Sequence, residues 1–260
     1  MNKNSGNFRA GIASVTFRQY VFVNFIKYIK MTDLSCIEWG SDIHVLYNEP
    51  QKAASVAEEM AENNLAAASY GSYYRLGQPH DPELFSMIAQ TAKIISAPMI
   101  RVWGGITGSA NLSVQNRKEI IDDALSIAGS AKKENINISL EYHSNTITDT
   151  AESALAFIKE VRKQGGDNIY LYWQQNQNKS FEENKSELEL ICPYLSNIHV
   201  FAWEKDQRLP LAEQKNRWET YIGIIKNTGR NHDFLLEFVK GDVIEQMLED
   251  AKILTELLNR

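Results

Sequence analysis

The stretch ISLEYH, residues 138–143, begins as a short run of strand-forming residues and ends in an acid, a tyrosine and a histidine. A polar loop comes after it, and then a longer segment with the period of an amphipathic helix. Strand, loop and helix in this order form one unit of a parallel sheet, because the helix carries the chain back to the start of the next strand. The stretch therefore predicts a strand–helix unit with reactive side chains where the strand ends.

Similar short runs lie on both sides of this stretch, at intervals of roughly thirty residues. In chain order the predicted strands are residues 12–15, 36–39, 66–70, 99–103, 138–142, 169–173, 198–201 and 234–238. Such a series fits an open doubly wound sheet or a closed barrel. The first run is followed by Thr16, Phe17 and Arg18 rather than by a glycine-rich phosphate loop, which weakens the nucleotide-binding open sheet. We predict an α/β fold, a single (β/α)8 TIM barrel domain over residues 1–260.

Capping signals predict where several of the helices begin and end. Asp149, Ser180 and Asp242 each stand three residues before a glutamate, which is the spacing of a capping box. Gly165 and Gly229 follow helical segments, where a left-handed residue is favoured. These positions predict helix starts after the three polar residues and helix ends before the two glycines.

Length, composition and charge indicate a globular chain without a nucleic-acid partner. The chain has 260 residues, of which 43% are hydrophobic and 23% charged, so it is expected to fold. The formal net charge of −6 argues against non-specific nucleic-acid binding, which depends on lysine and arginine. Cys36 and Cys192 both lie in apolar runs and are expected to be reduced thiols.

The amino-terminal region predicts neither a signal core nor a membrane span. Residues 1–9 are polar, and the longest apolar stretch after them, residues 20–29, is interrupted by Asn24 and Lys27. Such a stretch is too short and too polar to cross a bilayer. We therefore expect a cytoplasmic protein with no membrane partner.

Charged side chains at the ends of the later strands are the candidates for chemistry, because barrel active sites lie at the carboxyl ends of the strands. Glu141 ends the fifth run, His199 lies in the seventh and Glu237 lies in the eighth. Carboxylates among apolar neighbours are costly to bury unless they are paired or bound to a metal. Two carboxylates and one imidazole predict a site for a divalent ion with oxygen and nitrogen ligands.

The order and spacing of several motifs resemble the sugar-phosphate isomerase/epimerase members of the xylose-isomerase-like superfamily along nearly the whole chain. The motifs are IEWGSDIHV (37–45), SYGSYYRLG (69–77), RVWGG (101–105), LEYHSNT (140–146), YWQQN (172–176), HVFAW (199–203) and LEF (236–238). The ketose 3-epimerases of that superfamily hold one metal with a glutamate, an aspartate, a histidine and a glutamate on strands five to eight.

Carried over to this chain, the resemblance implies that Glu141, His199 and Glu237 hold one divalent ion, which could be Mn, Co, Mg or Zn. The family's aspartate falls on Gln174, whose amide oxygen can still bind a cation but supplies no charge. Three carboxylates become two, so we expect weaker or more selective metal binding. Gln174 could instead only orient the substrate.

The resemblance also implies a metal-dependent sugar or sugar-phosphate isomerase/epimerase that works by proton transfer through an enediolate. The proton-transfer pair would be Glu141 and Glu237. Further polar or aromatic side chains at the strand ends and loops are candidates to hold the substrate: His44, Arg75, Arg101, Trp103, His143, Asn145, Asn176 and Arg208. The resemblance makes a homo-dimer or tetramer a reasonable expectation.

Three alternatives stay open at this point. A metal-dependent sugar dehydratase of the same superfamily begins with the same proton abstraction and then expels water. An apurinic-site endonuclease shares the barrel, but its three-metal cluster needs more ligands than the five histidines and the acidic charge of this chain suggest. The third alternative is a sugar-binding barrel that has lost catalysis, to which the glutamine at position 174 points.

Overall fold

Parallel strands form a closed barrel in a computed structural model that describes residues 7–260. The barrel strands are β1 (Phe8–Ala13), β2 (Cys36–Gly40), β3 (Ala66–Arg75), β4 (Met99–Trp103), β5 (Asn137–Glu141), β6 (Ile169–Trp173), β7 (Leu195–Val200) and β10 (His232–Leu236). A hairpin of β8 (Trp203–Glu204) and β9 (Gln207–Arg208) comes after β7. Around the barrel the order is β1-β10-β7-β6-β5-β4-β3-β2. The predicted (β/α)8 barrel is confirmed.

Helices cover the outside of the barrel, one after each barrel strand. They are α1 (Phe22–Ile29), α2 (Pro50–Glu62), α3 (Leu84–Ile94), α4 (Val114–Lys133), α5 (Ala151–Lys163), α6 (Phe181–Ile191), α7 (Lys215–Lys226) and α8 (Ile244–Leu258). Each turns an apolar stripe inward; in α8 the stripe includes the buried Met247, Ala251 and Leu254. No helix within residues 7–260 is long and apolar enough to cross a membrane.

The barrel closes where β1 pairs with both β2 and β10. Gly11 lies at this seam, opposite Cys36 on one side and Leu235 on the other. A Cβ at position 11 would lie 2.4 Å from the carbonyl oxygen of Cys36 and 2.6 Å from Cδ2 of Leu235. The first and last strands can therefore pair only because residue 11 has no side chain.

Three strands begin two or more residues earlier than the sequence predicts, because the interior of the barrel is polar at its amino-terminal end. β1 begins four residues earlier, β7 three and β10 two. Arg9 of β1 forms an ion pair of 2.7 Å with Asp233 of β10, and Ser196 Oγ of β7 lies 2.7 Å from Ser139 Oγ. Buried polar residues are stable here because they satisfy one another. They also interrupt the apolar pattern by which strands are recognised.

The capping predictions are right at one helix and wrong at two. Ser180 and Glu183 form the predicted capping box at the start of α6. α5 is capped instead by Thr150, whose side chain accepts from the Ser153 N–H. α8 begins without a side-chain cap, and the predicted cap Asp242 pairs with Arg208. Asp149 accepts instead from the Ser109 N–H at 3.0 Å. Both aspartates therefore bond to other loops, which spacing along the chain does not reveal.

The two predicted left-handed glycines are confirmed, with φ of 93° at Gly165 and 67° at Gly229. Both predicted thiols, Cys36 and Cys192, are free. The glycine positions are predictable because a left-handed residue at a helix end depends on the local backbone rather than on distant partners.

Candidate active site

A cavity of about 280 Å³ opens at the carboxyl ends of the barrel strands. It is lined by Arg18, Tyr73, Arg101, Trp103, Glu141, His143, Gln174, Gln177, Phe201, Trp203, Glu237 and Phe238. Six of the residues predicted for the site are therefore in its wall, and His199 lies beneath them.

A larger cleft of about 660 Å³ lies outside the barrel, between α3 and α4. Its wall is made of helix and loop residues such as Gln78, Ser86 and Lys93, and it contains none of the residues predicted for the site. Size alone does not identify an active site. The carboxylates and the imidazole predicted to react are gathered at the barrel mouth, so the smaller cavity is the candidate.

Glu141, His199 and Glu237 come together at the floor of the cavity. Their potential ligand atoms all lie within 4.8 Å of one another, and all three residues are buried. His199 Nδ1 lies 3.4 Å from Oε2 of Glu237 and 3.7 Å from Oε1 of Glu141. Oxygen and nitrogen atoms that converge in this way, away from bulk water, fit a divalent cation.

Gln174 joins the same group from the end of β6. Its Oε1 lies 3.2 Å from His199 Nδ1, on the same nitrogen that faces the two glutamates. An amide oxygen in this position can serve as a fourth, uncharged ligand. The donor set is therefore two carboxylates, one imidazole and one amide.

The charges at the floor of the cavity alter the pKa values of two of these groups. Burial raises the pKa of Glu237, and the nearby Glu141 carboxylate adds to the effect. Burial alone would lower the pKa of His199, but the carboxylates of Glu237 and Glu38 outweigh it and raise that pKa. The site thus favours an added positive charge, either a proton or a metal ion.

Glu38 and Arg101 form a buried ion pair directly beneath these ligands. Arg101 is 2% exposed and its Nε donates to Oε1 of Glu38 at 3.0 Å, while its Nη1 donates to Oε2 of Glu141. Oε1 of Glu38 also lies 3.2 Å from Nε2 of His199. Burial alone would raise the pKa of Glu38, but Arg101 and His199 outweigh it and hold that pKa far below its usual range.

The guanidinium of Arg101 fits here because β3 has a glycine beside it. A Cβ at Gly71 would lie 2.8 Å from Nη2 of Arg101 and 3.3 Å from Oε1 of Glu38. Contacts below 3.0 Å are not tolerated unless a neighbour moves, and Arg101 is held on both sides by carboxylates. Gly71 is therefore part of the construction of the site.

Glu38 is not among the residues predicted from the sequence, although a signal is present. It stands in the middle of the apolar strand Cys36–Gly40, just as Glu141 stands at the end of an apolar strand. In both places a charge among apolar residues needs a partner. Other residues in the cavity wall are not predicted either: Arg18, Tyr73, Gln177, Phe201 and Phe238.

Aromatic side chains form the upper wall of the cavity. Trp103 stacks on His143 with ring centroids 4.5 Å apart, and the guanidinium of Arg75 lies 3.9 Å from its ring centre. On the other side, Arg208 lies 5.3 Å from the ring centre of Trp203 and 4.9 Å from that of Phe238. Arg75 and Arg208 thus support the aromatic rings from behind rather than lining the cavity.

Two of these aromatic residues have an unusual backbone conformation. Tyr73 has φ of 57° and Phe238 has φ of 53°, both in the left-handed region. This conformation is uncommon for bulky side chains and is typical of functional sites, where the surrounding structure maintains it. The indole Nε1 atoms of Trp103 and Trp203 are buried and have no hydrogen-bond partner within residues 7–260.

Three of the predicted substrate-binding residues lie away from the cavity. His44 is 2% exposed, and its ring nitrogens lie 3.1 Å from Ser14 Oγ and 3.0 Å from the Tyr20 carbonyl oxygen. Asn176 accepts from the backbone N–H of Asn178, and Asn145 lies exposed in a left-handed turn. The polar atoms of these side chains are satisfied by hydrogen bonds within the loops or by solvent, so no substrate is needed to explain them.

Comparison with known proteins places this architecture in a family. A family model described as xylose isomerase-like TIM barrel matches residues 26–257. A 3-dehydroshikimate dehydratase of Bacillus anthracis is 22% identical over 271 residues, which cover 94% of this chain and 95% of the relative.

Solved structures show the same fold. The probable 3-DHS dehydratase AsbF of Bacillus anthracis, involved in petrobactin synthesis, superposes with a TM-score of 0.79 at 18% identity, over 95% of this chain and 98% of its own. D-psicose 3-epimerase, crystallised in the presence of D-fructose, gives a TM-score of 0.73 at 16% identity, over 97% of this chain and 100% of its own.

Proposed function

This chain belongs to the xylose isomerase-like TIM barrel family, and we propose that it is a metal-dependent enzyme that removes a proton beside a carbonyl group of a small polyhydroxylated substrate. The observation that carries the proposal is the convergence of Glu141, His199 and Glu237, with ligand atoms within 4.8 Å of one another. Proton removal of this kind starts both an isomerase/epimerase reaction on a sugar or sugar phosphate and the reaction of a dehydratase.

The donor set at the cavity floor fits one divalent ion such as Mn²⁺, Co²⁺, Mg²⁺ or Zn²⁺. Glu141, His199 and Glu237 would hold it, with the amide oxygen of Gln174 as a fourth ligand. Such an ion would supply Lewis acidity toward a carbonyl oxygen of the substrate. The family and the buried negative charge both support this assignment.

Glu237 is the side chain best suited to take the proton. Its carboxylate is in the wall of the cavity, with Oε2 3.4 Å from Nδ1 of His199, so a substrate held at the cavity floor would meet it. General base catalysis of this kind contributes about 10²–10⁴-fold to a rate. The C–H proton passes to the carboxylate, and the bonding electrons form the carbon–carbon double bond of the enediolate.

The rest of the cavity is suited to a small ligand with hydroxyl groups. A volume of about 280 Å³ accommodates a compact molecule, and Phe201, Trp203 and Phe238 contribute apolar surface to the wall. Nε2 of His143 and the amide of Gln177 can hydrogen-bond to hydroxyls. The aromatic wall also excludes water from the reacting atoms.

The two outcomes differ in the step after proton removal. In an isomerase or epimerase a second carboxyl group returns a proton to the next carbon or to the opposite face, and Glu141 is the candidate. In a dehydratase the electron pair expels a neighbouring hydroxyl group, which takes up the proton that Glu237 had removed and leaves as water. The likeness to a dehydratase along 94% of this chain favours the second outcome, and the presence of two carboxylates favours the first.

A solvent-exchange screen tests the proposal and separates the outcomes. The protein is incubated in D₂O with each of the four metals and with 3-dehydroshikimate, D-fructose, D-psicose, D-tagatose or their phosphates. We expect metal-dependent incorporation of deuterium into one of these compounds. A product lighter by one water indicates a dehydratase, and an isomeric product indicates an isomerase or epimerase. Binding without exchange or turnover across the screen would contradict catalysis and support a sugar-binding barrel.

A further inference from the structure

We propose that Glu38 is a positioning residue of the metal site. It fixes the ring of His199 so that Nδ1 faces Glu141 and Glu237, and it acts through Arg101 to fix Glu141. The inference rests on the proposed function, because it assigns a purpose to a residue behind the proposed metal ligands.

The hydrogen bonds around Glu38 define which nitrogen of His199 carries a proton. Oε1 of Glu38 accepts from Arg101 at 3.0 Å, and Oε2 accepts from Ser69 Oγ at 2.7 Å. Nε2 of His199 is the third group in contact, at 3.2 Å from Oε1. Because a carboxylate accepts hydrogen bonds, Nε2 must donate, and the lone pair of the neutral ring then lies on Nδ1.

Nδ1 is the nitrogen that faces the other ligands. It lies 3.2 Å from Gln174 Oε1, 3.4 Å from Glu237 Oε2 and 3.7 Å from Glu141 Oε1. A carboxylate bonded to the far nitrogen of a metal-binding histidine fixes both its orientation and its tautomer. Glu38 occupies that position relative to His199.

Arg101 extends the same control to Glu141. Its Nη1 donates to Oε2 of Glu141, so the other oxygen, Oε1, is the one directed toward Nδ1 of His199. The exposed fractions of Glu38 and Arg101 are 1% and 2%, so neither side chain exchanges partners with water. His199 and Glu141, two of the proposed metal ligands, are therefore held in a fixed orientation before a metal ion binds.

Stability alone does not explain a charge network of this kind. Removing carboxylates and a guanidinium from water is costly, and apolar residues of similar size often stabilise a fold equally well. The geometry, in which each charged partner of Glu38 leads to a ligand, points to orientation as its role. An ion pair with a merely structural role would not influence the tautomer of His199 or the affinity for a metal.

The variants E38A and E38Q test this role, with D233N as a matched control. Asp233 forms an ion pair with Arg9 at the other end of the barrel and is 8% exposed, so D233N also removes a buried carboxylate from an ion pair. The affinity for Mn²⁺ is measured by titration calorimetry. We expect E38A to bind Mn²⁺ about 10–100-fold more weakly than the unmodified protein. E38Q should retain most of the affinity, because a glutamine oxygen at the position of Oε1 still accepts from His199 and Arg101.

D233N should bind Mn²⁺ as the unmodified protein does. Equal affinity of E38A and the unmodified protein would overturn the proposal, as would an equal loss in D233N and E38A. The first of these results would leave the proposed metal function intact, because the unmodified protein would still bind Mn²⁺.

A second measurement covers an E38A variant that fails to fold. ¹⁵N NMR of the unmodified protein, with and without Zn²⁺, reports the protonation of each ring nitrogen of His199. We expect Nε2 to carry a proton in both samples and Nδ1 to show the shift of a metal-bound nitrogen when Zn²⁺ is present. An Nε2 without a proton would overturn the proposal even if no metal binds.

Discussion

Arg101 donates from Nη1 to one oxygen of Glu141, while the other oxygen of that carboxylate faces His199 Nδ1 at 3.7 Å. Glu237 approaches the same nitrogen at 3.4 Å, and burial raises its pKa. The two glutamates are therefore chemically different, although both lie at the ends of barrel strands. This difference shapes how their variants should behave.

The unmodified protein should bind about one divalent ion per chain. Elemental analysis after incubation with manganese, cobalt, zinc or magnesium and removal of the excess measures the stoichiometry. H199A should lose most of the bound metal, because it removes the Nδ1 atom that faces Gln174, Glu237 and Glu141. H80Q, in the cleft between α3 and α4, is the control and should bind as before. A protein that retains no ion under any condition contradicts the metal site.

Replacing Gln174 by Asp should tighten Mn²⁺ binding by about tenfold. A negative charge about 4 Å from a cation contributes about 1 kcal/mol or more even in a high dielectric. Q177D is the control, because Gln177 lines the same cavity but makes no contact with His199 among the hydrogen bonds of residues 7–260. Calorimetry compares both variants with the unmodified protein. Equal effects of Q174D and Q177D would show that general charge, not ligation, is responsible.

E141Q and E237Q should each reduce turnover of a verified substrate by about 10²-fold or more. E237Q should also abolish deuterium exchange beside the carbonyl group, because it removes the proposed base. E141Q should leave some exchange, since its main losses are a charged ligand and the partner of Arg101. E204Q, on the exposed hairpin, should keep full activity. If both site variants retain normal turnover, the two acids are structural.

G71A should weaken Mn²⁺ binding and lower the free energy of unfolding. The added Cβ would lie 2.8 Å from Nη2 of Arg101, and the guanidinium cannot move without leaving its carboxylates. G129A is the matched control, because nothing lies within 4 Å of its added Cβ on α4. There the change should stabilise the helix by about 0.5–1 kcal/mol. Thermal denaturation and Mn²⁺ titration of both variants provide the comparison, and unchanged metal binding in G71A would contradict the tight fit.

The stability of D250N relative to the unmodified protein should depend on pH. Burial raises the pKa of Asp250 from 3.8 to about 6, and its Oδ1 accepts from the Leu211 N–H and from Gln246. Between these two values the folded state binds more protons than the unfolded state. The free energy of unfolding of the unmodified protein therefore falls as the pH rises through this range.

Asparagine keeps the two hydrogen bonds without the charge. The advantage of D250N should grow from pH 4 to pH 6 by about 3 kcal/mol and then stay constant. Urea denaturation at a series of pH values measures it, with E245Q on the exposed surface of the same helix as the control. A difference that does not change with pH would show that Asp250 ionises normally.

The barrel and the convergence of Glu141, His199 and Glu237 are predictable from the sequence, because both follow from where the strands end. Strand ends recur with the strand–helix period, and charges in apolar strands are rare enough to stand out at Glu141 and Glu237. Glu38 and Arg101 carry the same signal, but their importance lies in being paired across strands β2 and β4. A single sequence does not state which buried charges meet.

His44 shows the opposite failure. It comes after a strand and belongs to the IEWGSDIHV motif, which predicts that it faces the substrate. In the fold it packs face to face with Phe25, at a centroid distance of 5.8 Å, and bonds to Ser14 and Tyr20. Loops turn side chains in directions that periodicity does not define, so strand residues are predicted better than loop residues.

The positions of the tryptophans divide the intrinsic fluorescence of this protein into two sets. Trp39, Trp173 and Trp218 are fully buried in the body of the barrel, whereas Trp103 and Trp203 form the cavity wall. Only the second pair contacts an arriving molecule, and Trp103 is already stacked on His143. A change in tryptophan emission when a compound is added therefore reports that the cavity is occupied. Compounds can be ranked by this fluorescence change before any reaction product has been identified.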